Sequence, residues 1–60
     1  MTFADMVEEL VYMGELEENE EVMLEDYNGC PVDEGVFILE IINIRHLNNN
    51  VAMVLVVPEY

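Results

Sequence analysis

Serine, lysine and tryptophan are missing from this 60-residue sequence, and the basic side chains number one, Arg45. With no lysine and a lone arginine, no basic patch for gripping nucleic acid can be assembled. The formal net charge of −13 opposes anionic lipid for the same reason. Cysteine occurs once, at Cys30, so no internal disulfide forms, and there is no Cys/His cluster to hold structural zinc. Cys30 also lies among acids, the reverse of the electropositive setting that activates a thiolate. Histidine occurs once, at His46 beside Arg45, and reads as a surface residue at a turn. The three glycines are dispersed and build no phosphate-cradling loop. Asp26, Asn28 and Gly29 do not fall in the register of an EF-hand loop. No nucleophile–base constellation can be built from this inventory. No enzymatic activity, cofactor or metal is expected.

Long apolar runs are missing too. The longest, residues 51–57, falls far short of the ~20 residues that span a bilayer. The opening residues Met1-Thr2-Phe3-Ala4-Asp5 have no basic n-region and resemble no cleaved leader. The expected location is the cytosol of a producing or infected cell.

What is present is apolar mass combined with acid. Hydrophobic residues make up 53% of the chain, which excludes disorder for most of it, since acidic disordered tails lack such content. Sixty residues form one domain, 1–60, and a chain of that size buries only about 60% of the surface its unfolded form exposes. With disulfides and metal ruled out, a dense core and oligomerisation remain as sources of stability.

Thr2 and Asp5 are placed as a capping box, with aspartate where Glu or Gln is usual. On a helical wheel Phe3, Ala4, Met6, Val7, Leu10, Val11 and Met13 fill one half, while Asp5, Glu8, Glu9 and Tyr12 fill the other. The spacing predicts an amphipathic helix over residues 2–13, ended by Gly14. The five methionines fit core packing better than an adaptable binding surface. Residues 15–21 form an acidic connector. Residues 22–27 read as a strand followed by the turn pair Asn28-Gly29. Pro31 lacks a ladder donor, so residues 30–35 read as a loop rather than an immediate hairpin partner. Residues 36–45 and 51–57 read as strands joined by the Asn48-Asn49-Asn50 turn. The predicted fold class is α+β: an N-terminal helix on a three-stranded antiparallel sheet, α-β-β-β, laid out as a meander.

Strict alternation sends Val36, Ile38, Ile42 and Ile44 to one face of the second strand, and Phe37, Leu39 and Ile41 to the other. The third strand sets Val51, Met53, Leu55 and Val57 against Ala52, Val54 and Val56. One helix covers one face, so a second apolar face is left over. A homodimer is therefore expected through Phe37, Leu39, Ile41, Val54 and Val56, unless the sheet curls around its own core.

Seven carboxylates lie in residues 15–26: Glu15, Glu17, Glu18, Glu20, Glu21, Glu25 and Asp26. Glu8 and Glu9 add to them from the helix, and Asp33 and Glu34 from the loop. Duplex DNA carries one negative charge per ~1.7 Å of axis, and a carboxylate-rich surface offers a basic groove a comparable potential. Such a surface associates by electrostatic steering and is sensitive to salt. Glu8, Glu9, Glu15, Glu17, Glu18, Glu20, Glu21, Glu25 and Asp26 are the candidate partner-binding residues. The alternative is that the acids only keep an apolar adaptor dimer in solution, and that its function lies in the sheet face.

The layout of helix, acidic connector, Glu21-Val22-Met23-Leu24-Glu25-Asp26-Tyr27-Asn28-Gly29 and two apolar strands resembles small helix-plus-sheet proteins of phage genomes. The likeness spans most of the chain in layout and composition. In size and charge the chain is similar to phage-encoded inhibitors of host defence, the anti-CRISPR and anti-restriction proteins. That resemblance implies a non-catalytic inhibitor encoded by a phage or mobile element. It would block the nucleic-acid-binding groove of a basic host protein, such as a defence or DNA-processing complex. The similarity is one of type, so no functional positions carry over from it.

Overall fold

The structure, a computed structural model, describes residues 1–60. One helix, α1 (Phe3–Tyr12), precedes three strands, β1 (Glu21–Glu25), β2 (Phe37–His46) and β3 (Val51–Glu59). The class is α+β with the helix at the N-terminus, as expected.

The helix begins where its cap predicts. Thr2 is extended, and its Oγ1 accepts from the Asp5 N–H at 3.2 Å. It stops at Gly14, whose φ of 79° lies in the left-handed region that costs a side-chain-bearing residue strain. Met6 and Leu10 are buried, and Phe3, Val7 and Val11 pack half-buried beside them. Met13, assigned to the same stripe, is instead exposed: it is the C-cap, already past the last regular turn.

The sheet is mixed rather than fully antiparallel, with strand order β1-β3-β2. β2 and β3 form the expected antiparallel hairpin, but β1 pairs parallel with β3, Glu21 opposite Val51 and Glu25 opposite Leu55. The reason lies in β3. Its run of apolar residues suits the strand paired on both sides, whereas β1 and β2 carry charges that suit edges. The link between β1 and β2, residues 26–36, is long enough to step across the end of β3.

This link opens as a tight return. Asp26 Oδ1 accepts from the Asn28 and Cys30 N–H groups at 2.9 and 3.0 Å, and Gly29 turns the chain at φ 75°. Val32 then donates to the Leu24 carbonyl at 3.0 Å, beside a lone bridge between Glu25 and Pro31. Residues 30–32 thus shield only the second half of β1, and the rest of 30–35 is loop, as Pro31 predicts.

β3 runs on through Pro58, beyond the boundary at residue 57 that the proline suggested. It is tolerated because Pro58 sits opposite Ile38, whose own backbone groups are turned away from β3 to exchange hydrogen bonds with Met1 (2.6 and 2.7 Å). In such a pair neither strand donates to the other, and on its far side β3 has outrun β1.

Two bulges break the alternation of β2, leaving Leu39 and Ile42 as extra residues without partners on β3. Each shifts the phase by one, so the residues that meet the core are Ile38, Ile41 and Ile44, at a spacing of three. The core comprises Met6, Leu10, Leu16, Val22, Leu24, Val32, Ile38, Ala52, Val54 and Val56. Met6, Ile38, Val54 and Val56 are sealed off completely, each contributing roughly 1.5–3 kcal/mol by burial.

The expected dimer face is corrected accordingly. Val54 and Val56 are 0% exposed and offer no side chain to a second copy, and Ile41 packs partly buried against the core. Phe37 and Leu39 are exposed, at 47% and 56%. The outer face is instead a half-buried stripe of Val51, Met53, Leu55 and Val57 on β3, flanked by Glu21, Met23 and Glu25 on β1 and by Glu40, Asn43 and Arg45 on β2. No helix is long and apolar enough to cross a membrane.

Candidate protein-binding surface

The nine carboxylates assigned to a partner divide into two groups. Three are occupied within the fold. Glu20, whose side chain is only 2% exposed, accepts the Glu17 N–H on Oε1 at 3.1 Å and meets His46 Nδ1 with Oε2 at 2.8 Å. The Glu17 hydrogen bond first, and the His46 bond second, hold its carboxyl below the ordinary value of 4.5. Glu20 N–H in turn donates to the Glu17 carbonyl, so the connector is a closed turn and not a loose acidic tail. Glu25 is paired with Arg45 at 3.5 Å. Asp26 organises the turn after β1, and its Oδ2 also accepts from the Tyr60 hydroxyl at 3.4 Å. Loss of solvation, then the Asp26 charge, pushes that phenol above its ordinary value.

The other six, Glu8, Glu9, Glu15, Glu17, Glu18 and Glu21, are exposed, and none of their carboxylates has a hydrogen-bonding or ionic partner in the fold. Five of them form a continuous ridge. Glu8 and Glu9 line a shallow dent on the outer helix face with Asp5 and Tyr12. Glu9 shares the next depression with Glu15, and Glu15 the one after with Glu17. Glu17 and Glu18 then meet around Gly14 at the end of the helix. Asp5, which lines the same dent as Glu8 and Glu9, belongs to this ridge as well.

Glu21 stands apart. It lines a groove of about 410 Å³ between α1 and β1, together with Phe3, Val7, Val22, Leu24, Val32 and Glu34. The groove was not legible along the chain, because its lining joins residues of α1, β1 and the 30–35 loop that are distant in sequence.

The electrostatics of the ridge are local. The molecule measures 28 × 20 × 17 Å, and charges are screened over about 8 Å at physiological salt. A partner at one face therefore feels mainly the acids of that face, and Arg45, on the outer sheet face, does not offset the ridge.

No three His, Cys, Asp or Glu side chains are grouped to hold a metal ion. Cys30 is a free, exposed thiol. His46 is engaged by Glu20 and faces no nucleophile. Compared with known protein families, with curated proteins and with solved structures, the chain has no match.

Proposed function

We propose that this chain is a non-catalytic binding protein whose carboxylate ridge occupies a basic protein surface, one that ordinarily holds nucleic-acid phosphates. In this reading it works in the cytosol as an inhibitor of a nucleic-acid-binding or defence protein, as its likeness in type to phage-encoded inhibitors suggests.

The observation that carries the reading is a run of unpaired acids in which only Asp5, in the first turn, stands where the helix dipole favours an anion. Asp5 stands three and four residues before Glu8 and Glu9 on one helical face, and like charges at those spacings cost roughly 0.2–0.5 kcal/mol per pair. Glu9 lies in the last turn, where the helix dipole disfavours an anion, and no basic residue stands there to offset it. Solubility alone needs neither placement. A continuous run of unpaired carboxylates does suit a surface lined with Lys and Arg.

The test is affinity capture from lysate at low and high salt, with the chain and a Glu15→Lys/Glu17→Lys/Glu18→Lys variant as baits. The expected result is capture of basic nucleic-acid-binding proteins that elute with salt and are lost with the variant, whose circular dichroism is unchanged. Glu20 is left intact because it supports the connector. Capture indifferent to both salt and charge reversal would discard the ridge and favour the apolar stripe on the outer sheet face.

A further inference from the structure

We infer that the depression shared by the end of α1 and β2 anchors the partner through one arginine, whose stem lies on Met13 and Ile42 and whose guanidinium meets Glu9 and Glu15. The inference rests on the reading of the carboxylate ridge as a surface for a basic protein, and names the side chain that the ridge selects.

The depression has a volume of about 400 Å³, and its apolar lining comes from Leu10, Met13, Ile41, Ile42 and Ile44. Leu10 is buried, and Ile41 and Ile44 pack half-buried against the core, so the fold itself employs these three. Met13 and Ile42 differ. Met13 is the C-cap residue, past the last regular turn, and is 60% exposed. Ile42 is the extra residue of a bulge, without a partner on β3, and is 38% exposed. Neither seals the core, yet both line one depression. Bulges commonly re-aim a side chain in this way beside functional sites.

Glu9 and Glu15 line the same depression, both exposed and neither with an ionic partner. The helix ends there too, and no basic residue stands in its last turn to offset the negative end of the dipole. An occupant that fits must therefore combine apolar surface with positive charge. A purely apolar group would strip water from two carboxylates and return nothing to them. A bare metal ion would leave Met13 and Ile42 unused, and no three acids are grouped to hold one. A second copy offers only Arg45, already paired with Glu25, and brings a charge of −13 with it. Arginine joins an aliphatic stem to a flat, weakly hydrated cation with several donors, so one side chain meets both demands. Lysine holds its water more tightly and gains less from such a site. Arginine is also among the residues that dominate binding energy at protein interfaces.

The experiment compares two short peptides of alternating Lys and Gly, one with Arg and one with Lys at the centre, so that length and charge are equal. Each is titrated at low salt into the full chain, labelled at its methionine methyl groups and followed by NMR. The Arg-centred peptide is expected to bind about threefold or more tightly than its counterpart, and to move the Met13 methyl signal. Met13→Gln and Ile42→Thr each keep the charge and alter an exposed side chain. Either is expected to lower the affinity of the Arg-centred peptide about threefold, to that of the Lys-centred one.

Equal affinity of the two peptides overturns the proposal, as does a Met13 signal that stays in place while the Arg-centred peptide binds. An undiminished preference for arginine in the folded variants overturns it as well. The Met13 signal of the unmodified chain decides the matter even if a variant folds poorly. If the peptides bind alike and both are lost in the Glu15→Lys/Glu17→Lys/Glu18→Lys variant, the depression has failed while the carboxylate ridge stands. Failure of either peptide to bind at all overturns both readings. A Met13 signal that moves as the free chain is concentrated assigns the depression to a second copy and likewise overturns the proposal.

Discussion

Arg45 Nη2 lies 3.5 Å from Glu25 Oε1, so the one basic side chain of the protein reaches from β2 across β3 to β1. The bridge passes over the outer stripe where Met53 faces Arg45 and Leu55 faces Glu25 in register. Arg45 is 60% exposed, so the attraction is largely screened, while its stem still covers apolar surface. Replacing Arg45 by Gln is expected to lower stability by no more than about 1 kcal/mol in urea melts. Arg45→Ala is expected to speed the oxidation of Met53 by peroxide, followed by mass spectrometry of the peptides. An unchanged oxidation rate would mean that the arginine does not shelter the stripe.

Glu20 ties the connector to the end of β2 through His46. Its carboxyl is held below 4.5 in the folded protein, so its ionised form supports the fold at any pH above that value. The support fades as pH falls from about 4.5 through the lowered folded-state value. Other acids titrate in the same range, so the informative quantity is the stability difference between the native chain and Glu20→Gln. That difference is expected to be level at neutral pH and to shrink as the solution is acidified below 4.5. A difference independent of pH would contradict the arrangement.

The bulges in β2 make Leu39 and Ile41 unequal, although they stand two positions apart. Leu39→Asp is expected to change stability by no more than about 0.5 kcal/mol, as for an exposed site. Ile41→Asp buries a carboxylate against the core and is expected to cost more than about 2 kcal/mol, or to unfold the chain. Equal effects in denaturant melts would restore strict alternation and remove the bulges.

Gly29 holds φ at 75° in the turn that brings residues 30–32 back along β1, with open space where a side chain would stand. The cost of Gly29→Ala is therefore conformational, about 1 kcal/mol in a thermal or urea melt, and Gly29→Asn is expected to cost less. A larger loss for asparagine than for alanine would count against the left-handed turn.

Much of this architecture was legible in the sequence where it depends on neighbours along the chain. Thr2 and Gly14 marked the helix ends, Asn28-Gly29 and the asparagine run marked turns, and all three strands were found within two residues at either end. Features that depend on partners distant in sequence were misread. Residues 51–57, apolar on both faces, signalled a central strand, and a link as long as residues 26–36 argued against adjacent strands, but a meander reads neighbours in sequence as neighbours in space. The spacing of Ile38, Ile41 and Ile44 was visible as a period of three, yet alternation was assumed because bulges leave no composition of their own. For the surface, the acids were evident from composition. That Glu20, Glu25 and Asp26 are occupied was not, since His46, Arg45 and Tyr60 reach them only after the sheet has formed.

The parallel pairing of β1 with β3 has a kinetic consequence. Glu21 and Val51 are far apart along the chain, whereas β2 and β3 are joined by a short turn. Hairpin closure is fast and local, while closing the longer loop carries a greater entropic penalty. β3 thus waits with one flank bare until β1 docks, and through that interval the mutual repulsion of the unassembled chains is what keeps their sticky ribbons apart.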